Sequence, residues 1–580
     1  MRVVIRIPLA FVLATGLAAP APAEDRPPLS FTPHEFKAED GTKIAAELGE
    51  LAVRESRSKP DSRSIRLRFV RFRSTAKKPG APIVYLAGGP GGSGIDAARG
   101  ARFPVFMALR EIADVIALDQ RGVGRSEPSL ACEGFYAIDS AAPLSRASAE
   151  SGMKEAVAAC ADGLRAKGID LAAYNTRESA ADLEDLRKAL GVPKISLWAI
   201  SYGTHLALAT LKAHEASIDR VILAGVEGLD DTLKRPTDQQ ALLARVAALA
   251  AADPRIRAAV PDLLGSIARL RASLAEKPRA VTLVHPLTGE GGSVVVGPLD
   301  LQLAIAQLLT GPETFAYLPD FVARLERGDV TALALAVSRF RFGRTPSAMA
   351  TAMDCSSGAS AARVKEIATE IPSTLLGDAI NLPFPGVCAA IGVPDLGDAF
   401  RAPVRASVPA LLISGTLDGR TSVRNAEEVA RTLPRSVSLV VEGAGHGDAL
   451  FLASPKILDA MRGFLKGEPV GAARVSASAV PPFAAPRTVV ELSDEELSRF
   501  VGEYRADATS VRRITKAGSL LYNARGRNMP FPLRPSSKTE FFFESIPATV
   551  RFEVDQEGQV TALLLTPSDG AAPVRNPKIR

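Results

Sequence analysis

The stretch Trp198-Ala199-Ile200-Ser201-Tyr202-Gly203-Thr204 decides how this chain is read. Residues 194–200 form an apolar run of the kind that makes a strand buried on both faces, and residues 202–214 follow with helical spacing. Ser201 stands at the junction. A serine on a tight strand-to-helix turn needs small neighbours, because the backbone there is sharply bent and closely packed. Gly203 meets that need on one side, and Ala199 stands on the other where glycine is usual. The turn would lift the serine hydroxyl above the sheet and put the N–H of Tyr202 at the start of a helix, where it can stabilise a developing anion.

Working outward, residues 179–190 carry Leu183, Leu186 and Leu190 at helical spacing and lead through Gly191-Val192-Pro193 into the central strand. Residues 43–53 and 63–73 alternate loosely and read as early strands. Residues 82–87 and 114–118 are strongly apolar strands ending in glycine-bearing loops, and 220–224 is another. Strands alternating with helices through short loops predict a mainly parallel α/β sheet. From about 229 to 403 the chain turns Ala/Leu-rich and helical, with a hairpin expected over 281–296 that turns at Gly289-Glu290-Gly291-Gly292. Strand–helix alternation returns with 408–414 and 438–442. An insertion between two sheet strands is how a helical cap is set over a site carried by loops.

Residues 467–487 are rich in Ala, Pro, Ser and Val without periodicity and read as a linker. Beyond them, short strands are expected at 520–524, 540–544, 550–554 and 560–565, with Arg551-Phe552-Glu553-Val554-Asp555 alternating as a half-buried strand does. The expected organisation is therefore 1–23 signal peptide, 24–228 first part of the core, 229–403 cap insertion, 404–466 second part of the core, 467–487 linker and 488–580 a small antiparallel β domain.

The N-terminus addresses the chain for export. Arg2 and Arg6 precede an apolar stretch over 7–19, and Ala21-Pro22-Ala23 is a small-residue cleavage site followed by Glu24-Asp25. The apolar stretch is shorter than the roughly 20 residues that span a bilayer, so a periplasmic or secreted protein without a membrane span is expected. The four cysteines fit an oxidising compartment. Pairing sequence neighbours joins Cys132 to Cys160 and Cys355 to Cys388, one of three possible connectivities. No C-x-x-C or Cys/His cluster is present, so neither a metal nor another cofactor is expected. The net charge of +6 is spread along 580 residues without a basic block, which argues against nucleic acid as a partner. The oligomeric state is not legible.

A serine hydroxyl needs an adjacent base to attack a carbonyl. Of five histidines, His446 lies in a glycine-rich loop, Glu442-Gly443-Ala444-Gly445-His446-Gly447, just after a late strand. His205 is one helical turn past Ser201 and would point along the helix, so it reads as packing or as a support behind the site. His34, His214 and His285 fall at ordinary surface or core positions. The stretch Leu411-Leu412-Ile413-Ser414-Gly415-Thr416-Leu417-Asp418 is a buried strand ending in a loop acid, 28 residues before His446, where an acid can fix the imidazole tautomer. Leu86-Ala87-Gly88-Gly89-Pro90-Gly91-Gly92-Ser93-Gly94 lets backbone N–H groups approach an oxyanion, with Gly89 and Tyr202 the expected donors. A phosphate-binding reading of that loop fails, because no lysine follows at the spacing such loops use.

These pieces together resemble the proline iminopeptidase and tripeptidyl aminopeptidase group of α/β-hydrolases. The matching segments are the glycine loop at 88–94, Asp119-Gln120-Arg121-Gly122-Val123-Gly124-Arg125-Ser126, Tyr174-Asn175-Thr176 with Asp182-Leu183, and the elbow around Ser201; Ala199 is the visible departure. The resemblance spans roughly residues 30 to 465. It implies an α/β-hydrolase fold, a serine nucleophile (Ser201), a base (His446), an orienting acid (Asp418) and cleavage of an amide near a free N-terminus through an acyl-enzyme. Asp119 to Gly122 are expected to brace the loop beside the site. An aminopeptidase also needs carboxylates for the substrate ammonium, and Glu227, Asp230 and Asp231 are the nearest acids to the cap mouth. The alternative is an esterase or other acyl hydrolase using the same three residues, so the substrate class is a peptide or a small ester. The C-terminal segment, through Leu492-Ser493-Asp494-Glu495-Glu496-Leu497 and Phe500-Val501-Gly502-Glu503-Tyr504, resembles the lipocalin-like β domain appended to some serine hydrolases.

Overall fold

The computed structural model describes residues 27–284, 291–471, 473–478, 480–507, 510–526, 530–544, 548–567 and 572–580. The expected signal peptide, His285 and the Gly289-Glu290 part of the expected turn lie outside these residues. A ten-stranded sheet forms the centre. Its strands are β1 (Leu29–Lys37), β2 (Lys43–Arg54), β3 (Ser64–Phe72), β4 (Ile83–Leu86), β5 (Val115–Asp119), β6 (Ile195–Ser201), β7 (Ile218–Val226), β8 (Ala410–Gly415), β9 (Ser436–Glu442) and β10 (Arg474–Ser476). Their spatial order is β1-β2-β3-β5-β4-β6-β7-β8-β9-β10. The first three strands and the β3–β5 pair are antiparallel, and from β5 to β10 every pair is parallel.

The central strands are buried along almost their whole length because both faces are covered, as a parallel sheet requires. On one face Trp198 sits against Tyr85 and Phe106 at ring-centroid distances of 4.6 and 4.7 Å. On the other lies the helix Tyr202–His214, buried over its first ten residues, with the helix Thr176–Leu190 beside it. Asn175 caps the latter by accepting from the N–H of Glu178, and Gly191 at φ 68° ends it.

Between β7 and β8 the chain leaves the sheet for a mainly helical insertion running from Pro236–Ala252 to Asp398–Arg401. An antiparallel hairpin, Arg279–Val284 with Gly291–Val296, belongs to it. The disulfides join Cys132 to Cys160 and Cys355 to Cys388.

Two features differ from the sequence reading. The stretch 467–487 is not a free linker, because its residues Arg474–Ser476 pair in parallel with β9 and close the edge of the central sheet. The C-terminal sheet also has eight strands rather than the four expected, Gly502–Arg505, Val511–Ala517, Phe531–Pro535 and Val574–Pro577 being additional. It is antiparallel throughout, and its first and last strands meet through Tyr504 and Lys578, giving a nearly closed barrel. Aromatic side chains fill the interior, with Phe552 in ring contact with Phe500, Phe541 and Tyr504. Among the described residues no helix is long and apolar enough to cross a membrane.

Candidate active site

Ser201 ends β6 with φ 55° and ψ −129°, and among the described residues it is the one non-glycine at positive φ. Holding a side chain there costs about 1–3 kcal/mol, and the surroundings enforce it. A Cβ on Gly203 would lie 2.2 Å from the carbonyl oxygen of Leu86, and one on Gly88 would lie 2.8 Å from the Cβ of Ser201. Glycine at 203 lets the helix start against β4, and glycine at 88 lets the loop after β4 cross the serine. Ala199 is fully buried in register with Leu86 and Leu223, where a methyl group fits.

The loops after β8 and β9 bring two more side chains to the serine. Ser201 Oγ donates to His446 Nε2 at 3.1 Å, and His446 Nδ1 donates to Asp418 Oδ2 at 2.9 Å. Asp418 is withdrawn from solvent, and its carboxylate collects further donors. Oδ1 accepts the N–H groups of Arg420 and Thr421 at 2.7 and 2.8 Å, and Oδ2 accepts the Thr421 hydroxyl at 2.7 Å. Burial opposes the charge, but His446 and the Thr421 donors outweigh it and hold this carboxyl below its ordinary range. Thr421 Oγ1 also lies 3.2 Å from His446 Nδ1, a role the sequence reading missed. Its spacing three residues after an Asp is the available signal, since such a threonine closes a local turn on the carboxylate.

Asp119 braces the glycine loop. Its Oδ1 accepts from the Ser93 hydroxyl and the Ile95 N–H, and its Oδ2 from the N–H of Arg125. Arg121 is fully buried and forms two bonds to Asp182, at 2.8 and 2.7 Å, with further bonds to the carbonyls of Glu55 and Ala173. His205 is packed in the core, with Nδ1 at 3.0 Å from the Gly228 carbonyl and Nε2 at 3.1 Å from Ser357 Oγ.

A cleft of about 530 Å³ opens above Ser201 and His446, walled by the glycine loop, Glu227 with Lys234, and Thr310 and Glu313 of the insertion. Of the three acids expected at the cap mouth, only Glu227 lines it. Its Oε2 is 2.7 Å from Lys234 Nζ. Asp230 instead accepts from the backbone and hydroxyl of Ser360, both at 2.6 Å, and Asp231 pairs with Arg363 at 2.5 Å while accepting from the Gly228 N–H. Those two acids pin the entry of the insertion to a later helix. Asp354, on the helix Ala348–Ser357, is an acid the sequence reading missed. Burial, and then the neighbouring charge of Glu227, push its carboxyl up to about 8. A lone Asp directly after Ala-Met-Ala-Thr-Ala-Met was the signal for it.

A family model described as the α/β hydrolase fold matches residues 81–451. Serine protease Hip1 of Mycobacterium tuberculosis (strain ATCC 25618 / H37Rv) is 34% identical over 185 residues, 30% of this chain and 35% of the relative. Tripeptidyl aminopeptidase of Streptomyces lividans is 32% identical over 165 residues, 26% of this chain and 29% of the relative. The chain thus spans about a third of the length of the curated relatives it matches. A solved structure of a thermophilic esterase from Thermogutta terrifontis aligns with 72% of this chain and 98% of its own, at 17% identity and a TM-score of 0.32. With its sheet order, its serine at the end of β6 and a family match over well more than half its length, this chain belongs to the α/β-hydrolase fold family.

Proposed function

We propose that the protein is an exported serine aminopeptidase that releases single residues or short peptides from free N-termini. The observation that carries this reading is the hydrogen-bonded run Ser201–His446–Asp418 at the floor of a cleft with Glu227 on its wall. Ser201 Oγ attacks the scissile carbonyl carbon while His446 Nε2 takes its proton. Asp418 keeps Nδ1 protonated and balances the imidazolium. The N–H groups of Gly89 and Tyr202 receive the oxyanion. As the tetrahedral intermediate collapses, the imidazolium gives its proton to the leaving amine nitrogen. Water, activated by the same imidazole, then releases the acyl group from Ser201.

Glu227 is assigned to the substrate ammonium through Oε1, with Asp354 beside it. Relatives named as a serine protease and a tripeptidyl aminopeptidase support the peptidase class. Two disulfides accord with an oxidising compartment, and with residues 1–23 as a signal peptide. In this reading residues 229–403 form the cap and the C-terminal barrel is lipocalin-like.

The test is hydrolysis of a matched panel, with Ser201→Ala as blank. The panel pairs chromogenic amides of one to three residues, each with a free or acetylated N-terminus, with short nitrophenyl esters. Turnover of free-amine amides that acetylation abolishes is the expected result. Turnover of esters alone would replace the peptidase reading with an acyl-hydrolase one, and activity surviving in Ser201→Ala would remove the nucleophile assignment.

A further inference from the structure

We propose that the C-terminal barrel positions the catalytic acid and base, acting through residues 309–315 of the helical insertion. The proposal rests on the assignment of Asp418 and His446 made above. Both loops that carry those residues back onto this one corner. A Cβ on Gly419 would lie 1.8 Å from the carbonyl oxygen of Leu309, and one on Gly445 would lie 2.3 Å from Pro312 Cδ and 2.9 Å from Gly311 Cα. The corner therefore fits like a wedge against the residue after the acid and the residue before the base. Its placement sets the placement of both.

What holds the corner from behind is not the hydrolase sheet. Phe315 meets Phe483 at 6.2 Å between centroids, the N–H of Ala484 donates to the carbonyl of Ala316, and Arg487 bonds Asp320 through its backbone N–H and Nε at 2.6 and 2.8 Å. Residues 483–487 thus form a strap along the outer side of the corner, just before the chain enters the barrel. Four residues past Asp320, Arg324 is 2% exposed and forms two parallel bonds to Glu544 of the barrel, at 2.8 and 2.7 Å. Arg534 joins the same carboxylate, and the Arg487 guanidinium lies 4.0 Å from the ring centroid of Phe542. Leu520 and Tyr522 of the barrel share one apolar cluster with Leu309 and Phe315. Each charge in this network belongs to the insertion, the strap or the barrel.

Buried ion pairs of this kind are costly to break on one side, so they hold the corner in a single place. Catalysis is sensitive to sub-ångström misplacement of its groups, which gives that rigidity a functional reading. Glu544, Arg324 and Phe483 are then positioning residues, far from substrate and acting through the wedge.

The experiment uses the full chain with Glu544→Gln and, as a second route to the same corner, Phe483→Ala. Two substrates are compared: a nitrophenyl acetate, which needs little beyond the three catalytic residues, and the best free-amine amide. The expected result is a fall in kcat of about tenfold on both substrates with KM changed less than twofold, and recovery of most of the loss in Glu544→Asp. Slower labelling of Ser201 by a small fluorophosphonate should accompany it. If both variants keep kcat within twofold of the parent while melting at lower temperature, the barrel is only a stabiliser and the proposal fails. It fails equally if KM for the peptide amide alone changes, since the barrel would then shape the cleft and not the acid and base. Loss of the triad assignment would show separately, as activity persisting in Ser201→Ala.

Discussion

Two carboxyls stand behind residues of one cleft, Asp418 bonded to His446 and Asp354 beside Glu227, and they end in opposite states. Asp418 lies at the histidine end among four donors and is held ionised. Asp354 lies at the Glu227 end, and among the described residues no donor is bonded to its side chain. Burial and a like charge leave it neutral up to about pH 8. Burial alone removes a carboxyl's charge, and only donors aimed at it restore that charge. One end is thereby built to keep a negative charge beside an imidazolium. The other keeps its proton beside the charge of Glu227.

The strongest way to break this contrast is Asp418→Asn. An amide there forfeits the charge that balances the imidazolium and disfavours the tautomer Ser201 needs, so kcat should fall about 10³–10⁴-fold with KM little changed. A fall below tenfold in steady-state amide hydrolysis would mean that the charge at this end does not matter. Next in size is Glu227→Gln. Losing one charge-assisted contact to an ammonium corresponds to about 1.5–3 kcal/mol, or roughly 10–100-fold in KM for free-amine substrates. Ester hydrolysis should be unaffected, and an equal loss on both would show Glu227 to be structural.

Thr421→Val removes a single neutral donor from Asp418 while keeping the shape. A severalfold loss of kcat is expected, in line with about 0.5–1.5 kcal/mol for such a bond. An unchanged rate would show that the backbone donors suffice. The smallest effect on activity, below twofold on ester substrates, is expected for Asp354→Asn, whose signature lies in stability. A carboxyl held neutral in the fold contributes stability fully present below the ordinary carboxylate range and lost as pH rises through about 8. The parent's unfolding midpoint should therefore decline over that interval, and the Asn variant should show a flatter profile. Asp418 has the opposite sign, its contribution being lost as pH falls. Parallel profiles for parent and Asp354→Asn would place the Asp354 proton elsewhere.

How much of this was legible depends on range. The elbow, the glycine loop and the strands around them are local arrangements, and an apolar run broken by a small-residue turn announces them residue by residue. The order of serine, acid and histidine along the chain carried the rest of that site into the reading. The fates of Glu227, Asp230 and Asp231 were not legible. Three acids within five residues look alike in sequence, and their difference is made by Lys234, Ser360 and Arg363, up to 132 residues away. The opening strand β1 was missed because Pro33 and His34 interrupt its alternation, although it pairs with β2 over nine positions. In the barrel, Val511–Ala517 and Phe531–Pro535 went unseen because Arg512 points inward, Arg534 is buried against Asp329 of the insertion, and Pro532 and Pro535 disguise the pattern. Closure of the sheet supplied the partners that made them strands.

β10 has a consequence in time. It is the last strand of the central sheet, yet it arrives only at residues 474–476, after the final helix of the hydrolase unit. Until that segment has emerged, the end of the strand at Val440–Glu442 presents unpaired backbone groups on one side. Such an edge is a template for pairing with another chain. The strand that closes it leads directly into the strap and the barrel, so protection of the nascent sheet and delivery of the barrel are a single event in the chain's emergence.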